Sequence, residues 1–398
     1  ARADGARAAL HWLEHSQRSD GGFPASPGSS SSAAITGWAS LGLEASGVNP
    51  IAVRSGGRSP IDFLRSDLDT VRSTGDLERT ILALEGAGVS PRRFGGRDLV
   101  GELRARRSPS GSFEGQVNLT AFGILALRTA GARSSALHRS AAWLRGARNA
   151  DGGWGFRSDA GSDPDSTGAA LQGLAVAGGG RAMRRGASYL RRAQRGDGGF
   201  ALAGTGSSNA QSTAWAVQGL LAAGANPAAV RTGGHSALAY LAARQAGDGH
   251  YRYSASSDQT PVWVTAQALV AAHRKAFPLA PVRRPGAGRG GPDRRSRSGG
   301  GHAAARGAGP AGSDGPGGSR RSGASGSARG GPRAASRSDR GPSSQDTALP
   351  VGAALLSRQD GSAGQDGGGE EATYVAVGFG LLIVALAGGF LWYRRRLP

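Results

Sequence analysis

Between Asn149 and Gly178 the chain reads Asn149-Ala150-Asp151-Gly152-Gly153-Trp154, then Asp163-Pro164-Asp165-Ser166-Thr167-Gly168-Ala169-Ala170, then an apolar run through Leu174 to Gly178. A turn, a helix start and a helix stop follow in that order. Aspartate accepts hydrogen bonds from nearby amides, glycine adopts φ > 0, and the aromatic ring can fold back into the protein. Asp, Ser and Thr ahead of an apolar run open a helix, and a glycine just past a leucine closes one with a left-handed cap. Degenerate copies of the stretch recur along the chain, with their stops at Leu43/Gly47, Leu84/Gly88, Leu127/Gly131, Leu174/Gly178 and Leu220/Gly224, and Leu269/His273 as the exception. A spacing of about 41 to 49 residues signals stacked helical hairpins. Six such units account for residues 1–277.

The turn returns as Asp20-Gly21-Gly22-Phe23, Ser110-Gly111-Ser112-Phe113, Asp197-Gly198-Gly199-Phe200 and Asp248-Gly249-His250-Tyr251. The second repeat keeps only Ser73-Thr74-Gly75-Asp76 and is expected to be the least regular. First helices carry aromatic-leucine pairs (Trp12-Leu13, Phe63-Leu64, Trp143-Leu144, Tyr189-Leu190, Tyr240-Leu241) among alanine and arginine at helical spacing, which gives one apolar and one solvated face. Second helices, such as Thr213 to Leu220, are apolar throughout and are expected to be the more buried. Apolar helices inside and amphipathic ones outside close naturally into a ring.

Gln17, Gly21 and Phe23, Gln194, Gly198 and Phe200, and Gln245, Gly249 and Tyr251 resemble the Q-x3-G-x-W/F repeat of squalene and other triterpene cyclases, which occurs more loosely in protein prenyltransferase β subunits. The resemblance covers residues 1–277. It implies an all-α fold, an α/α toroid of about six helical hairpins whose inner helices surround a central space. It does not carry a function, because one fold hosts many activities. Lyases of polysaccharides and cobalamin carriers share it.

Within that resemblance, Asp163-Pro164-Asp165-Ser166-Thr167-Gly168-Ala169-Ala170 is similar to the D-x-D-D-T-A motif of class II terpene cyclases. The resemblance implies Asp165 as the general acid that protonates a polyene. Such an acid has to be held neutral in an apolar pocket. Ser166 replaces the aspartate that would be its charge partner, and Asp or Ser before a helix is also an ordinary cap. Asn209 to Thr213 and Ser256 to Thr260 hold the same place in sister repeats, so the cap reading carries more weight. Trp38, Phe122 and Trp215 fall at one register of the second helices, with Trp263 one residue earlier. They are the candidates for lining a ligand cavity, or else they fill the core.

Composition removes several chemistries. Without cysteine there is no disulfide, no thioester and no zinc site of the Asp-Cys-His kind found in prenyltransferases. His11-Trp12-Leu13-Glu14-His15 matches the H-x-x-E-H zinc pattern but lacks a third ligand, so no metal or other cofactor is expected. The net charge of +20 is spread out, and 14 arginines against 8 acids lie in 278–371, without the basic helix expected of a groove reader. Specific nucleic-acid binding is therefore not expected.

Residues 278–371 are rich in Gly, Ser, Arg and Pro and too poor in apolar groups to offset chain entropy, which reads as a disordered linker. Residues 372–393 form an uncharged run long enough to span a bilayer, and Arg394-Arg395-Arg396 in the tail 394–398 should remain in the cytoplasm. Ala1-Arg2-Ala3-Asp4 reads like a chain after signal-peptide removal. The expectation is a single-pass cell-membrane protein that displays its toroid outside the cell to an unknown ligand or protein partner. The alternative is an enzyme, either a class II terpene cyclase using Asp165 or an extracellular polysaccharide lyase.

Overall fold

The computed structural model describes residues 2–202 and 206–284. The linker beyond residue 284, the expected span at 372–393 and the tail at 394–398 lie outside the described residues. Among the described residues no helix is long and apolar enough to cross a membrane.

The described chain alternates α1 (Arg2–His15) with α2 (Ala33–Ala45), α3 (Pro60–Ser66) with α4 (Thr74–Gly86), α5 (Leu99–Ala105) with α6 (Val117–Thr129), α7 (Ser134–Gly146) with α8 (Pro164–Ala177), α9 (Arg181–Ala193) with α10 (Ala210–Ala222), and α11 (Ala237–Ala243) with α12 (Pro261–Ala272). The even-numbered helices pack each on the next, and α12 packs back on α2, so six inner helices close a ring. Odd-numbered helices form an outer shell; α1 contacts both α12 and α2, bridging the seam. The division follows sequence polarity. Every residue of α2 is buried, whereas α9 buries only Ala182, Gly186, Ala187 and Leu190. This is the expected α/α toroid.

A threonine sets the height of every inner helix except α4. The amide after each turn donates to a threonine hydroxyl one turn inside the following helix: Phe23 to Thr36, Phe113 to Thr120, Trp154 to Thr167, Phe200 to Thr213 and Tyr251 to Thr265, at 2.9 to 3.0 Å. All five threonines are fully buried, so losing a hydroxyl would leave a buried N–H unpaired at about 1–3 kcal/mol. The aspartates of the turns act as expected, with Asp20, Asp151 and Asp197 accepting from the amides of Gly22, Gly153 and Gly199. The repeat glutamines link units. Gln194 Nε2 donates to the carbonyls of Gly198 and Val230, and Gln245 Nε2 donates to those of Gly249 and Gly5, tying the last hairpin to the first helix.

Several sequence readings change. Ser73-Thr74-Gly75-Asp76 is no remnant of the turn but the capping box that starts α4: Ser73 accepts from the Asp76 amide and Asp76 from that of Ser73. In the last repeat the left-handed residue is Arg274 rather than His273, and Thr260 precedes α12 without any side-chain cap bond. The toroid also runs past Phe277. Residues 278–284, grouped with the linker by composition, pack against the ring: the Val282 amide donates to Gly86 O at 2.8 Å, and Asn49 Nδ2 donates to Val282 O at 2.8 Å. Two carbonyl-capping contacts and the buried Leu279 hold a segment whose composition alone looks unstructured.

Adjacent inner helices approach closely because small residues face each other. A Cβ built on Gly42 of α2 would stand 2.8 Å from Ala266 Cα and 3.0 Å from Ala266 Cβ of α12, at the seam that joins the two ends of the domain. Gly173 meets Ala121 and Gly219 meets Gly168 in the same way. Gly42→Ala is expected to destabilise the protein by about 1–3 kcal/mol through overpacking, seen as a melting temperature lowered by several degrees.

Candidate functional site: the ring interior

Taking the clamped threonine as origin aligns the inner helices. Two residues after it stand Trp38, Phe122, Ala169, Trp215 and Gln267; two residues before it stand Ala34, Asn118, Asp165, Gln211 and Trp263. In α4, Leu77 replaces the threonine and Arg79 takes the place of the ring. Positions four apart lie on one face of a helix, so each set forms a layer around the interior. Trp263 therefore belongs to the layer of Asp165, four positions before that of Trp38 and not one. The cause is a shorter α12, which ends closer to its threonine than the other inner helices do and so misaligns a count made from the helix end.

The aromatic layer is gathered as a cluster. Ring centroids lie 6.0 Å apart for Trp38 and Phe122, 6.0 Å for Trp38 and Trp215, 5.3 Å for Phe122 and Trp215, and 6.3 Å for Trp38 stacked on Trp263. Phe277, which sequence reasoning did not single out, joins them at 5.8 Å from Phe122. Its amide donates to Gln172 Oε1 at 2.8 Å, on the wall where Ala169 leaves room. Arg79 lies 5.6 Å over the Trp38 ring and pairs with Asp76 at 2.5 Å, two attractions that offset part of the cost of burying its charge. Trp38, Phe122, Trp215 and Trp263 retain 4 to 7% exposure, whereas Ile124, Val217 and Val264 on the same helices retain none.

The layer nearer the helix starts is polar and unsatisfied. Asn118 Oδ1, Asp165 Oδ1, Gln211 Nε2 and Trp263 Nε1 are buried and have no hydrogen-bond partner within the protein, on four of the six inner helices. In the aromatic layer Gln267 lacks partners for both amide atoms, as does Arg79 for Nε. Buried polar atoms are normally paired, and a cluster of exceptions marks a place where ordered water or a bound ligand supplies the partners. The signal was present in the sequence, since Asn118 and Gln211 stand at the same offset from threonine as Asp165, but only the clamp identifies that offset.

The two aspartates divide their roles. Asp163 is the N-cap of α8, accepting from the Ser166 amide at 2.7 Å. Burial raises its carboxyl to about 6, while the amides of Ser166 and Asp165 pull it down. Asp165 does not cap its own helix. Burial first, and the charge of Asp163 second, push it up to about 8, with the Ser212 hydroxyl opposing. Near neutral pH the coupled pair therefore shares about one proton, and the amide bonds that favour ionised Asp163 favour its residence on Asp165. Glu44 and Glu78 are also buried and raised by desolvation, Glu78 with partial relief from Arg79.

Of the other candidates, His11 and His15 are exposed on α1 with their rings 4.0 Å apart, and His15 Nδ1 lies 2.8 Å from His11 O. Among the described residues no group of three His, Asp or Glu side chains converges in a way that could hold a metal.

No protein-family model and no curated protein matches the sequence. Solved structures do. The apo type II terpene cyclase MstE from Scytonema aligns with a TM-score of 0.50 at 14% identity, over 69% of this chain and 98% of its own. A protein from Actinoplanes aligns with a TM-score of 0.50 at 17% identity, over 69% and 99%. A wild-type glycosidase aligns over 70% and 97% at 14% identity, with a TM-score of 0.47. At such identities the likeness is one of fold.

The native state keeps a proton on Asp165 that the unfolded chain releases near pH 3.8, so this residue's contribution to stability falls as pH rises to about 8 and then levels off. Asp165→Asn should flatten that slope. Melting curves at about pH 5 and pH 8 are expected to show the variant gaining at least about 1 kcal/mol relative to the wild type at the higher pH.

Proposed function

We propose that the ring interior binds an amphipathic small molecule, its apolar body against Trp38, Phe122, Trp215 and Trp263 and its polar head against Asn118, Asp165 and Gln211. The observation that carries this reading is the layer of buried polar atoms without partners lying next to an aromatic layer. A neutral or cationic head suits it best, since Asp163 and Asp165 stand together at the start of α8. The toroid is carried outside the cell on the linker 285–371 and anchored by 372–393, a proposal that rests on the apolar span and the arginines after it. Protease added to intact cells should then remove the toroid; its survival there would overturn this topology.

The second reading, a terpene cyclase with Asp165 as general acid, is favoured by one observation: Asp165 is a buried carboxylic acid not used as a helix cap. Balance would require its proton to pass to a terminal alkene and a base to take one back after ring closure. Titrating the protein with polyisoprenoid alcohols while following tryptophan emission separates the readings. Saturable quenching that weakens in Asn118→Leu, with the alcohol recovered unchanged, supports binding alone. Cyclised product that disappears in Asp165→Asn would establish the enzyme. No quenching, together with ligand-free mass in native mass spectrometry, would end both.

A further inference from the structure

The outer helix α9 presents an unneutralised arginine surface. Its exposed residues are Arg181, Arg184, Arg185, Arg191 and Arg192, all arginines, and the helix contains no acid. Their spacing places them along one face, over roughly 16 Å from Arg181 to Arg192 at the helical rise. The sequence reading that no basic helix exists is corrected here: what looked like scattered charge is one stripe, with the apolar positions between the arginines turned to the core.

At one end the stripe meets α7. Arg145, Arg148, Arg181 and Arg185 line one groove of about 490 Å³ together with Gly178, Gly179, Gly180 and Ala182. None of the arginines of the stripe or the groove forms an ion pair with a carboxylate among the described residues. Some are instead positioned by neutral oxygens: Arg145 Nη1 donates to Gly178 O at 2.8 Å, Arg148 Nη1 to Asn149 O at 3.1 Å, and Arg192 Nη2 to Asp151 O at 2.6 Å. Each fork is thereby oriented while its charge stays uncompensated, a state that favours bidentate binding of oxyanions.

We propose that this groove and stripe bind a linear, flexible polyanion of repeating phosphate groups laid along α9. Two groups of guanidinium side chains, Arg181 to Arg185 and Arg191 with Arg192, separated by about 9 Å along the helix axis, match a repeating oxyanion better than a single small anion. A bilayer surface fits less well, because a helix that lies in a membrane interface needs exposed large apolar residues and α9 exposes none. The surface is separate from the ring interior, so this inference stands or falls independently of the ligand proposed there.

The test uses the full chain in detergent and fluorescently labelled medium-length inorganic polyphosphate. Binding should weaken with salt, and Arg181→Ser with Arg185→Ser should lower the affinity at least tenfold and reduce the salt slope by about 1.4, or ~0.7 per lost phosphate contact. Arg104→Ala on α5 serves as the control and should change little. Because the linker arginines also attract phosphate, arginine modification by phenylglyoxal is measured in parallel, and polyphosphate should protect Arg181 and Arg185 more than the arginines of 285–371. Unchanged affinity together with equal protection everywhere would overturn the proposal. So would tighter binding, with the same dependence on Arg181 and Arg185, to phosphatidylglycerol vesicles or to duplex DNA.

Discussion

Five of the six inner helices are held at their height by one buried hydrogen bond, from the amide after the glycine turn to a threonine hydroxyl. A helix packed on all sides by alanine, leucine and glycine is otherwise free to slide along its axis, because such surfaces are nearly interchangeable from turn to turn. The bond removes that freedom: the donor has no other partner, and leaving it unpaired costs more than small differences in packing. With height fixed, residues at equal distances from threonine come to equal depth. The layers of the interior are a consequence of this clamp.

Ring closure adds a second constraint. Six wedges have to fit a full turn, and the fit depends on how closely neighbouring helices approach. Gly42 against Ala266 allows α2 and α12 to meet at the seam, as Gly173 against Ala121 and Gly219 against Gly168 do elsewhere. The side-chain volume excluded from the walls leaves the interior to a few large rings and to polar groups. The second, fourth and sixth hairpins depart from the pattern, with Arg79, Ala169 and Gln267 where the others place an aromatic. It is beside Ala169 that Phe277 enters, and over Trp38 that Arg79 lies.

Inside and outside the ring, charge is handled in opposite ways. The interior keeps acids neutral by desolvation and gives Asp165 no counter-ion of its own. The outer α9 keeps arginines charged in water and without carboxylate partners. Both arrangements leave chemistry open to something that is not part of the chain, a hydrogen-bonding head in one case and an oxyanion in the other. Neither is required by the hairpin repeat, since sister helices manage without them.

Much of the architecture was legible from residues alone. Period, turn chemistry and glycine stops follow local rules, and local rules determine hairpins whatever surrounds them. The glutamine repeat likewise placed the chain in the right fold. Residues 372–393 and their flanks support the anchor by composition alone, and the described structure leaves that reading where the sequence put it. What the sequence could not decide was relative depth. Trp263 appeared to lie one residue before the register of Trp38, because a count from the helix end misreads the shorter α12, and Asp165 appeared to be one more helix cap, because it stands beside Asp163 at the helix start. Tertiary structure supplied the missing origin through the threonine clamp, separated Asp163 the cap from Asp165 the buried acid, and brought Phe277, the last residue assigned to the repeats, into the interior. Local sequence set the turns and helices, because their hydrogen bonds close within a few residues; the contents of the interior depended on contacts between repeats, which no single repeat encodes.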